Sequence, residues 1–287
     1  MVSRTPDSAP TGTDPLVGGG AVLARSSSAA LLVVTSALGL LMFCWPLVAS
    51  VLPRSSAQSA PWLLVVLLPV LLVLLLVQLT GGELDPRTLA LLGVLSAVNA
   101  ALRLLSAGTG GIELVFFLLV LAGYVLGPTF GFLLGTVSLL ASALVTAGVG
   151  PWLPFQMMAA GWVGLGAGLL GRALDGRVRP RGGVEVAALA VYAALAAYVF
   201  GALMNLWSWP FTVGGDTSVS YVPGGELTEN LRRFAVFTLT TSTPTWDTVR
   251  AVTNVVAVLL LGRPVLGTLR RAQRRGVLAR DGHPRGR

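Results

Sequence analysis

Long runs of apolar residues without a charge constrain this chain more than any other feature of its sequence. From residue 29 to residue 171 it is almost continuous Leu, Val, Ala and Gly, interrupted only by short stretches with Pro, Gly or a charged residue. Carrying an ionised side chain to the centre of a bilayer costs roughly 2.5–3.5 kcal/mol. Because the charges are confined to short connections and tails, we predict an all-α polytopic membrane protein.

The apolar runs divide into segments of the length that crosses a bilayer, about 20 residues each. The predicted spans are residues 29–51, 62–80, 87–107, 112–127, 129–148, 153–172, 184–206 and 244–264. The fourth span is short, and it either ends at Gly127 or continues past Gly127 and Pro128 as a broken helix. Eight spans leave too little of the 287 residues for a large soluble catalytic domain.

The arginines indicate the orientation, because cytoplasmic loops of membrane proteins are enriched in positive charge. One group precedes the first span, a second separates spans six and seven, and a third closes or follows span eight. The three groups are Arg4 and Arg25; Arg172, Arg177, Arg179 and Arg181; and Arg263, Arg270, Arg271, Arg274, Arg275, Arg280, Arg285 and Arg287. The opposite loops carry only Arg54, Arg232 and Arg233. An even number of spans puts the three groups on one side, so we expect both termini in the cytoplasm.

The rare polar residue types exclude several function classes. The chain has no lysine, which a Walker A nucleotide-binding loop requires, and its one histidine, His283, lies in the polar tail. Zinc sites and Ser–His relays are therefore not expected, and we predict no catalytic residue, no cofactor and no metal. The basic tail lacks interleaved aromatic residues, so no nucleic acid is expected, and the net charge of +8 is an orientation signal and an attraction to anionic lipid of the bilayer.

The carboxylates indicate how such a protein could be energised. Glu113 and Asp247 stand at the outer starts of their spans, away from the midplane where ion-coupled carriers place such groups. If the protein moves a solute uphill, we expect the energy to enter through another subunit.

Polar and aromatic residues gather at the span ends on the arginine-poor side. The candidate substrate-binding residues are Asn99, Arg103, Trp152, Gln156, Asn205, Trp207, Trp246, Asp247, Arg250 and Asn254. Trp246, Arg250 and Asn254 share a helical face, and Asp247 can pair with Arg250 three residues later. For a single Trp or Arg, interfacial anchoring is the alternative interpretation. Taken together, the group predicts an outward-facing small-molecule pocket.

Two further patterns concern movement and packing. The connection 207–243 contains Gly214, Gly215 and Gly224, with a helix-like stretch after Glu226, and is either a lid or a plain extracellular loop. Small residues recur every four positions in spans three, five and six, which lets helix backbones approach closely in lipid. Internal packing explains most of them, and the stripe Gly93, Ala97 and Ala101 in span three is the candidate for docking another membrane protein.

Two blocks of the sequence resemble a known family. They are GYVLGPTFGFLLG at 123–135 with GPWLPFQM at 150–157, and TWDTVRAVTN at 245–254 with LGRP at 261–264. These blocks resemble the substrate-binding S-component of energy-coupling factor (ECF) vitamin transporters, over residues 87–270. The resemblance implies a six-helix core that binds a vitamin or related micronutrient from outside. It also implies docking, through Gly93, Ala97 and Ala101, on a membrane coupling protein that two ATPase subunits drive.

The chain differs from the family pattern in having two extra spans before the core. We therefore expect a disordered cytoplasmic segment 1–28, two accessory helices in 29–80, a six-helix membrane core in 81–268 and a basic cytoplasmic tail in 269–287. The accessory helices are plain Leu and Val, which predicts that they face lipid. Cys44, in the first of them, is expected to be a packing residue.

The interpretation is an S-component in the cytoplasmic membrane of a bacterium. Cobalamin or another corrinoid is the favoured ligand, by similarity to S-components of this Gly-Pro-Trp type, while riboflavin, biotin and thiamine stay open. The alternatives are a self-contained secondary carrier, a membrane enzyme acting on lipid or isoprenoid substrates, and a structural protein without a small ligand.

Overall fold

The computed structural model of the chain describes residues 30, 32–49, 69–70, 73, 86–106, 112–177, 182–215 and 217–281. Every regular element in these ranges is helical, which confirms the predicted all-α class. Segment 1–28 lies outside the described residues, as does the second accessory span 62–80 apart from positions 69, 70 and 73. Residues 282–287 of the basic tail also lie outside them.

The helices follow the predicted order of the spans. They are α1 (Leu32–Phe43), α2 (Trp45–Ala49), α3 (Pro86–Ser106), α4 (Val115–Leu126), α5 (Pro128–Thr146), α6 (Leu153–Leu174), α7 (Gly183–Thr212), α8 (Leu227–Phe237), a π-helical segment (Thr238–Asp247) and α9 (Thr248–Asp281).

Five helical stretches of the described residues are long and apolar enough to cross a bilayer, judged by length and composition. They are Pro86–Leu104, Pro128–Thr146, Leu153–Leu174, Gly183–Thr212 and Leu227–Arg274. The apolar helices α1 and α4 are shorter, with 12 residues in α4. The structure therefore supports a multi-pass membrane protein, while the number of eight spans stays a prediction.

Helix α4 is the centre of the bundle. Its residues Val115 to Gly123 are all buried, on every side of the helix. A helix that is apolar all round belongs in the interior, and the sequence VFFLLVLAG offers no polar face to a membrane surface or to water. Helices α5, α6, α7, α9 and α3 surround it, and α6 packs against both α4 and α5.

The chain reverses direction between α4 and α5 at a single residue. Gly127 has φ +99°, a backbone conformation that residues with a side chain rarely adopt, and Pro128 begins the next helix. Pro128 has no N–H for a continuing helix, so α4 ends here rather than running on as a broken helix. The result is a tight helical hairpin that places Gly123 beside Gly131.

Helices α5 and α6 approach through their small residues, as the sequence predicts. A Cβ added at Gly131 would overlap the carbonyl oxygen of Gly164, and one at Gly135 would overlap that of Ala160. Gly168 is equally close to Pro128. Such contact maximises dispersion attraction between backbones in lipid, where helix association has no hydrophobic driving force.

The first accessory segment packs against the core, which corrects the expectation that it faces lipid. Phe43 is fully buried, with its ring 5.1 Å from that of Phe155 and 5.4 Å from that of Trp162. The indole of Trp162 donates to Ser36 (3.0 Å), and that of Trp45 donates to the Trp207 carbonyl (3.0 Å). Only one face of α1 is free, carrying exposed Val33, Val34, Leu40 and Leu41. Composition did not reveal this because the buried face depends on a few aromatic and hydroxyl residues.

The last described part of the chain, up to Asp281, is helical over a longer range than predicted. The connection after α7 leads into amphipathic α8, which begins after Glu226 as expected, and the backbone then stays helical to Asp281. The ten residues Thr238–Asp247 are π-helical and include Pro244. The predicted tail therefore starts as a continuation of α9.

Candidate functional site

Four charged side chains meet at one end of the bundle, where α3 and α7 end and where α4 and α9 begin. Arg250 Nε donates to Glu113 Oε2 over 2.6 Å, and its Nη1 donates to Asp247 Oδ1 over 3.0 Å. Arg103 Nε lies 3.8 Å from the other oxygen of Glu113. Two arginines and two carboxylates thus form one cluster with no net formal charge.

The cluster is enclosed by the core. The guanidinium carbon of Arg250 lies 5.2 Å and 5.9 Å from the ring centres of Phe200 and Phe116, which gives cation–π contact on top of the ion pairs. The Asp247 side chain is 2% exposed and that of Arg250 11%. Asn254 donates to the backbone oxygen of Glu113 (2.6 Å), which fixes the start of α4 against α9.

Asp247 depends on a glycine in the facing helix. A Cβ at Gly201 of α7 would overlap the Asp247 carboxylate, so only glycine lets this carboxylate approach α7. Ser242, in the π-helical segment, donates to the second carboxylate oxygen of Asp247 over 2.8 Å. Both oxygens of Asp247 are therefore satisfied, and its position is set by α7, α9 and the π-helical segment together.

A cavity of about 370 Å³ opens beside the cluster. Its wall combines the cluster with amide and hydroxyl groups and with apolar side chains. The lining residues are Gln156, Phe200, Gly201, Met204, Asn205, Thr212, Phe237, Thr241, Ser242, Trp246, Asp247 and Arg250. Aromatic walls with a few fixed polar groups are the usual composition of a small-molecule site.

The comparisons with known proteins identify the family. The family model described as ECF transporter, substrate-specific component, matches residues 87–262, well over half of the chain. The chain belongs to this family. No curated protein and no solved structure matches it significantly. Members of the family are transporter subunits, and the predicted resemblance to an S-component is confirmed.

The matched region of this S-component runs from α3 through the π-helical segment and ends within the first half of α9, and it contains every residue of the cluster and of the cavity wall. Helices α1 and α2 precede it. The accessory segment is therefore an addition to the family core, although it packs against that core.

Five of the ten candidate residues line the cavity of the S-component, namely Gln156, Asn205, Trp246, Asp247 and Arg250. The predicted pairing of Asp247 with Arg250 is confirmed by their 3.0 Å contact.

Three other candidates lie behind the cavity wall. Arg103 donates to Ser142 (2.6 Å) and to Gln156 (3.3 Å), so it holds a lining residue. Asn99 is fully buried and donates to Ser138, and Asn254 is fully buried at Glu113. Arg103 and Asn254 thus support the wall of the cavity by bonding Gln156 and the Arg250 carbonyl, while Asn99 joins α3 to α5.

The two remaining candidates are tryptophans away from the cavity. Trp152 precedes α6 and is 44% exposed. Trp207 is buried, with its ring stacked 4.4 Å from Phe155. In both cases the sequence could not distinguish a pocket wall from an interface anchor or a packing residue, because Trp serves all three purposes.

Sequence reasoning did not include Glu113 among the candidates, although it joins both arginines of the cluster. One signal was available, since Glu113 is the only carboxylate between Asp85 and Asp175. Phe200, Gly201 and Met204 were also missed. They look like ordinary apolar helix residues, and only their position opposite Asp247 reveals their contribution to the wall.

The segment that the sequence suggested as a lid is held by its own hydrogen bonds. Asn230 of α8 bonds both the N–H and the C=O of Val222, at 3.0 Å and 2.9 Å. Trp209 at the end of α7 donates to the carbonyl of Val219 over 2.8 Å. Phe237 and Thr241, near the end of this segment, line the cavity. Movement of the segment stays a prediction.

Proposed function

We propose that this S-component binds a vitamin or related micronutrient in the cavity beside the Glu113–Arg250–Asp247 cluster and delivers it inward through a coupling protein driven by separate ATPases. The observation that carries the proposal is the cavity itself. It combines a charge-balanced, tightly bonded wall with amide, hydroxyl and aromatic groups that line the space open to a ligand. A rigid wall lowers the entropy cost of binding and so supports high affinity.

The arginine distribution supports an outward-facing cavity. At its end of the bundle, Arg103 and Arg250 contact Glu113, and Arg232 and Arg233 contact Glu229. The opposite end carries Arg172, Arg177, Arg263, Arg270, Arg271 and Arg274. Since positive residues stay on the cytoplasmic side, the arginine-rich end faces the cytoplasm of the bacterial cell, with both termini on that side.

The size of the cavity supports a compact ligand. A volume of about 370 Å³ is near the lower end of the roughly 300–1,000 Å³ of typical small-molecule sites. Riboflavin, thiamine and biotin, with one to three fused or linked rings, suit this volume better than a corrinoid, the ligand that the sequence favoured. The arginines and carboxylates of the cluster balance one another, so the cluster offers no excess charge to a ligand. This favours a ligand with little net charge.

Helix α3 supports docking on a coupling protein. Gly93, Ala97 and Ala101 are all exposed, and a Cβ added at Gly93 would meet no atom within 4 Å. In the apolar stretch of α3, 22% of the residues are buried, against 61% in those of α5 and α6. A small-residue stripe on the least covered of the five spanning helices described suits a close helix–helix contact with another membrane protein.

Ligand binding tests the cavity. The purified S-component is titrated with riboflavin, thiamine, biotin and cobalamin by calorimetry, with Trp246→Ala and Trp152→Ala as a matched pair. Trp246 lines the cavity while Trp152 does not, and both are about half exposed, so neither variant should unfold. We expect one compact vitamin to bind, about tenfold more weakly to Trp246→Ala because an aromatic wall is lost, and unchanged to Trp152→Ala. Binding of none of these vitamins, or sensitivity to Trp152 alone, would contradict the proposed site.

Docking is tested with the same substitution on two helices. Ala97→Leu inserts a bulky side chain into the α3 stripe, and Ala187→Leu does so on an exposed position of α7. With the coupling protein and ATPases of the same organism co-expressed, we expect Ala97→Leu to abolish copurification and leave vitamin affinity unchanged. Ala187→Leu should copurify like the unchanged chain. Equal copurification of both variants would show that α3 is not the docking helix.

A further inference from the structure

A second, larger cavity lies at the opposite, arginine-rich end of the bundle. It has a volume of about 790 Å³ and is formed where α4 and α6 end, where α7 begins and by the later part of α9. It shares no lining residue with the cavity beside Asp247. Neither the family's substrate binding nor the α3 stripe accounts for it.

The inner wall of this cavity contains three polar side chains, Glu185, Tyr124 and Arg270, that bond one another. The Glu185 side chain is 1% exposed, accepts a hydrogen bond from the Tyr124 hydroxyl (2.9 Å) and is paired with the Arg270 guanidinium. Gln273 of α9 donates to the backbone oxygen of Val125 over 2.9 Å. These contacts join α4, α7 and α9 and neutralise Arg270, so the inner wall is fixed and carries no net charge.

The rim supplies the uncompensated charge. Arg172 and Arg177 are exposed at the end of α6 and line the cavity together with Asp175. Among the described residues neither arginine has a carboxylate within ion-pair distance, and the guanidinium of Arg177 donates to the Ala173 carbonyl (2.7 Å). With Arg270 paired to Glu185, the lining keeps one net positive charge. A Cβ added at Gly127 or Gly176 would meet no atom within 4 Å, so the cavity has open space beside these arginines.

An exposed apolar side chain lies next to this rim. Leu169 is 49% exposed on α6 and lies three residues before Arg172, on the same helix face. A molecule with a negative head and an apolar tail would place its tail along Leu169 and its head at Arg172. Basic pockets between spanning helices on the cytoplasmic side are where anionic lipid headgroups bind.

We propose that this cavity binds the phosphate group of an anionic phospholipid from the cytoplasmic leaflet, held by Arg172 and Arg177. Guanidinium groups suit phosphate oxygens because they form paired charge-assisted hydrogen bonds. The bound lipid fills the space between α4, α6, α7 and α9 at the level of the headgroups. This site is independent of the vitamin cavity and does not require that any vitamin be bound.

The test uses the full chain in phosphatidylcholine nanodiscs that contain a small fraction of phosphatidylglycerol. Retained phosphatidylglycerol is counted by native mass spectrometry for the unchanged chain, for the double variant Arg172→Gln with Arg177→Gln, and for Arg263→Gln. Arg263 is an exposed arginine at the same end that does not line the cavity, so it controls for the loss of charge alone. All three substituted arginines are exposed, and the variants should fold normally.

We expect one tightly held phosphatidylglycerol in the unchanged chain and in Arg263→Gln, and about fivefold weaker retention for each cavity arginine removed. Millimolar inorganic phosphate should not displace the lipid. Equal retention in all variants would overturn the proposal, and displacement by inorganic phosphate would assign the cavity to a soluble phosphate compound. The double variant is also co-expressed with the coupling protein and the ATPases. Unchanged lipid retention together with loss of copurification of the coupling protein would assign the cavity to a protein interface instead.

Discussion

Glu113 links two arginines from different helices, Arg103 of α3 and Arg250 of α9, at the start of the central helix α4. Its removal leaves both guanidinium groups without this carboxylate, and Arg250 is 11% exposed. Breaking a buried ion pair by removing one partner costs roughly 3–5 kcal/mol. Because the Glu113 side chain keeps 21% of its exposure, we expect Glu113→Gln to cost an amount at or below the lower end of that range.

The measurement is unfolding of the purified protein in detergent, with Glu229→Gln as the matched control. Glu229 of α8 also contacts two arginines, Arg232 and Arg233, but its side chain is 39% exposed, against 21% for Glu113. Exposed pairs contribute little, so the control should unfold almost like the unchanged chain. Equal destabilisation by the two substitutions would show that the ion pairs of Glu113 stabilise the fold no more than those of Glu229 do.

Individual side chains show where sequence reasoning succeeds and where it stops. The Asp247–Arg250 pair was predictable because three residues along a helix fix their separation. The contact of Arg250 with Glu113 joins residues 137 positions apart, and no local pattern specifies it. Trp152 and Trp207 carried the same signal as Trp246, but only their packing decides which tryptophan faces the cavity.

Helix α1 shows the same division between pattern and packing. Its length and composition predicted an apolar helix, while its docking on α6 depends on Phe43 fitting between Phe155 and Trp162. Phe43→Ala should therefore loosen α1, at a cost at or below the low end of the roughly 3–5 kcal/mol of buried Phe→Ala changes, since lipid replaces part of the lost contact. Leu41→Ala, on the exposed face of the same helix, should have little effect.

Protease protection of residues 30–49 in detergent would measure this. We expect faster cleavage in Phe43→Ala than in the unchanged chain or in Leu41→Ala. Equal cleavage of all three would show that α1 is held by the surrounding detergent rather than by the aromatic contact.

Other helices were predictable to different degrees. The small-residue stripes of α5 and α6 predicted their close packing, because glycines four residues apart in a membrane helix let a second helix backbone approach closely. The sequence does not decide whether the chain reverses at Gly127 or continues as a broken helix, since Gly-Pro permits both a turn and a kink. The π-helical segment Thr238–Asp247 was not predicted, because no local sequence pattern distinguishes it from an α-helix.

The whole molecule has two chemically different ends. One holds charge-balanced arginines beside the compact cavity, and the other holds the arginine-rich rim of the larger cavity. Within the described residues, the carboxylates Glu113 and Asp247 form ion pairs with Arg250 at one end of the bundle, and Glu185 forms an ion pair with Arg270 at the other. Ion-coupled carriers place such groups near the midplane, where they can bind and release an ion. With these carboxylates paired at the two ends of the bundle, we propose that this chain binds the ligand and that partner subunits supply the energy.

Uptake by the S-component alone in liposomes tests this assignment most directly. The vitamin that binds in calorimetry is supplied outside in radiolabelled form, with no gradient, with a proton gradient or with a sodium gradient across the membrane. We predict that the vitamin binds but that its internal concentration never exceeds the external one under any of the three conditions. Accumulation above the external concentration by this chain alone would contradict the account and identify a self-contained carrier.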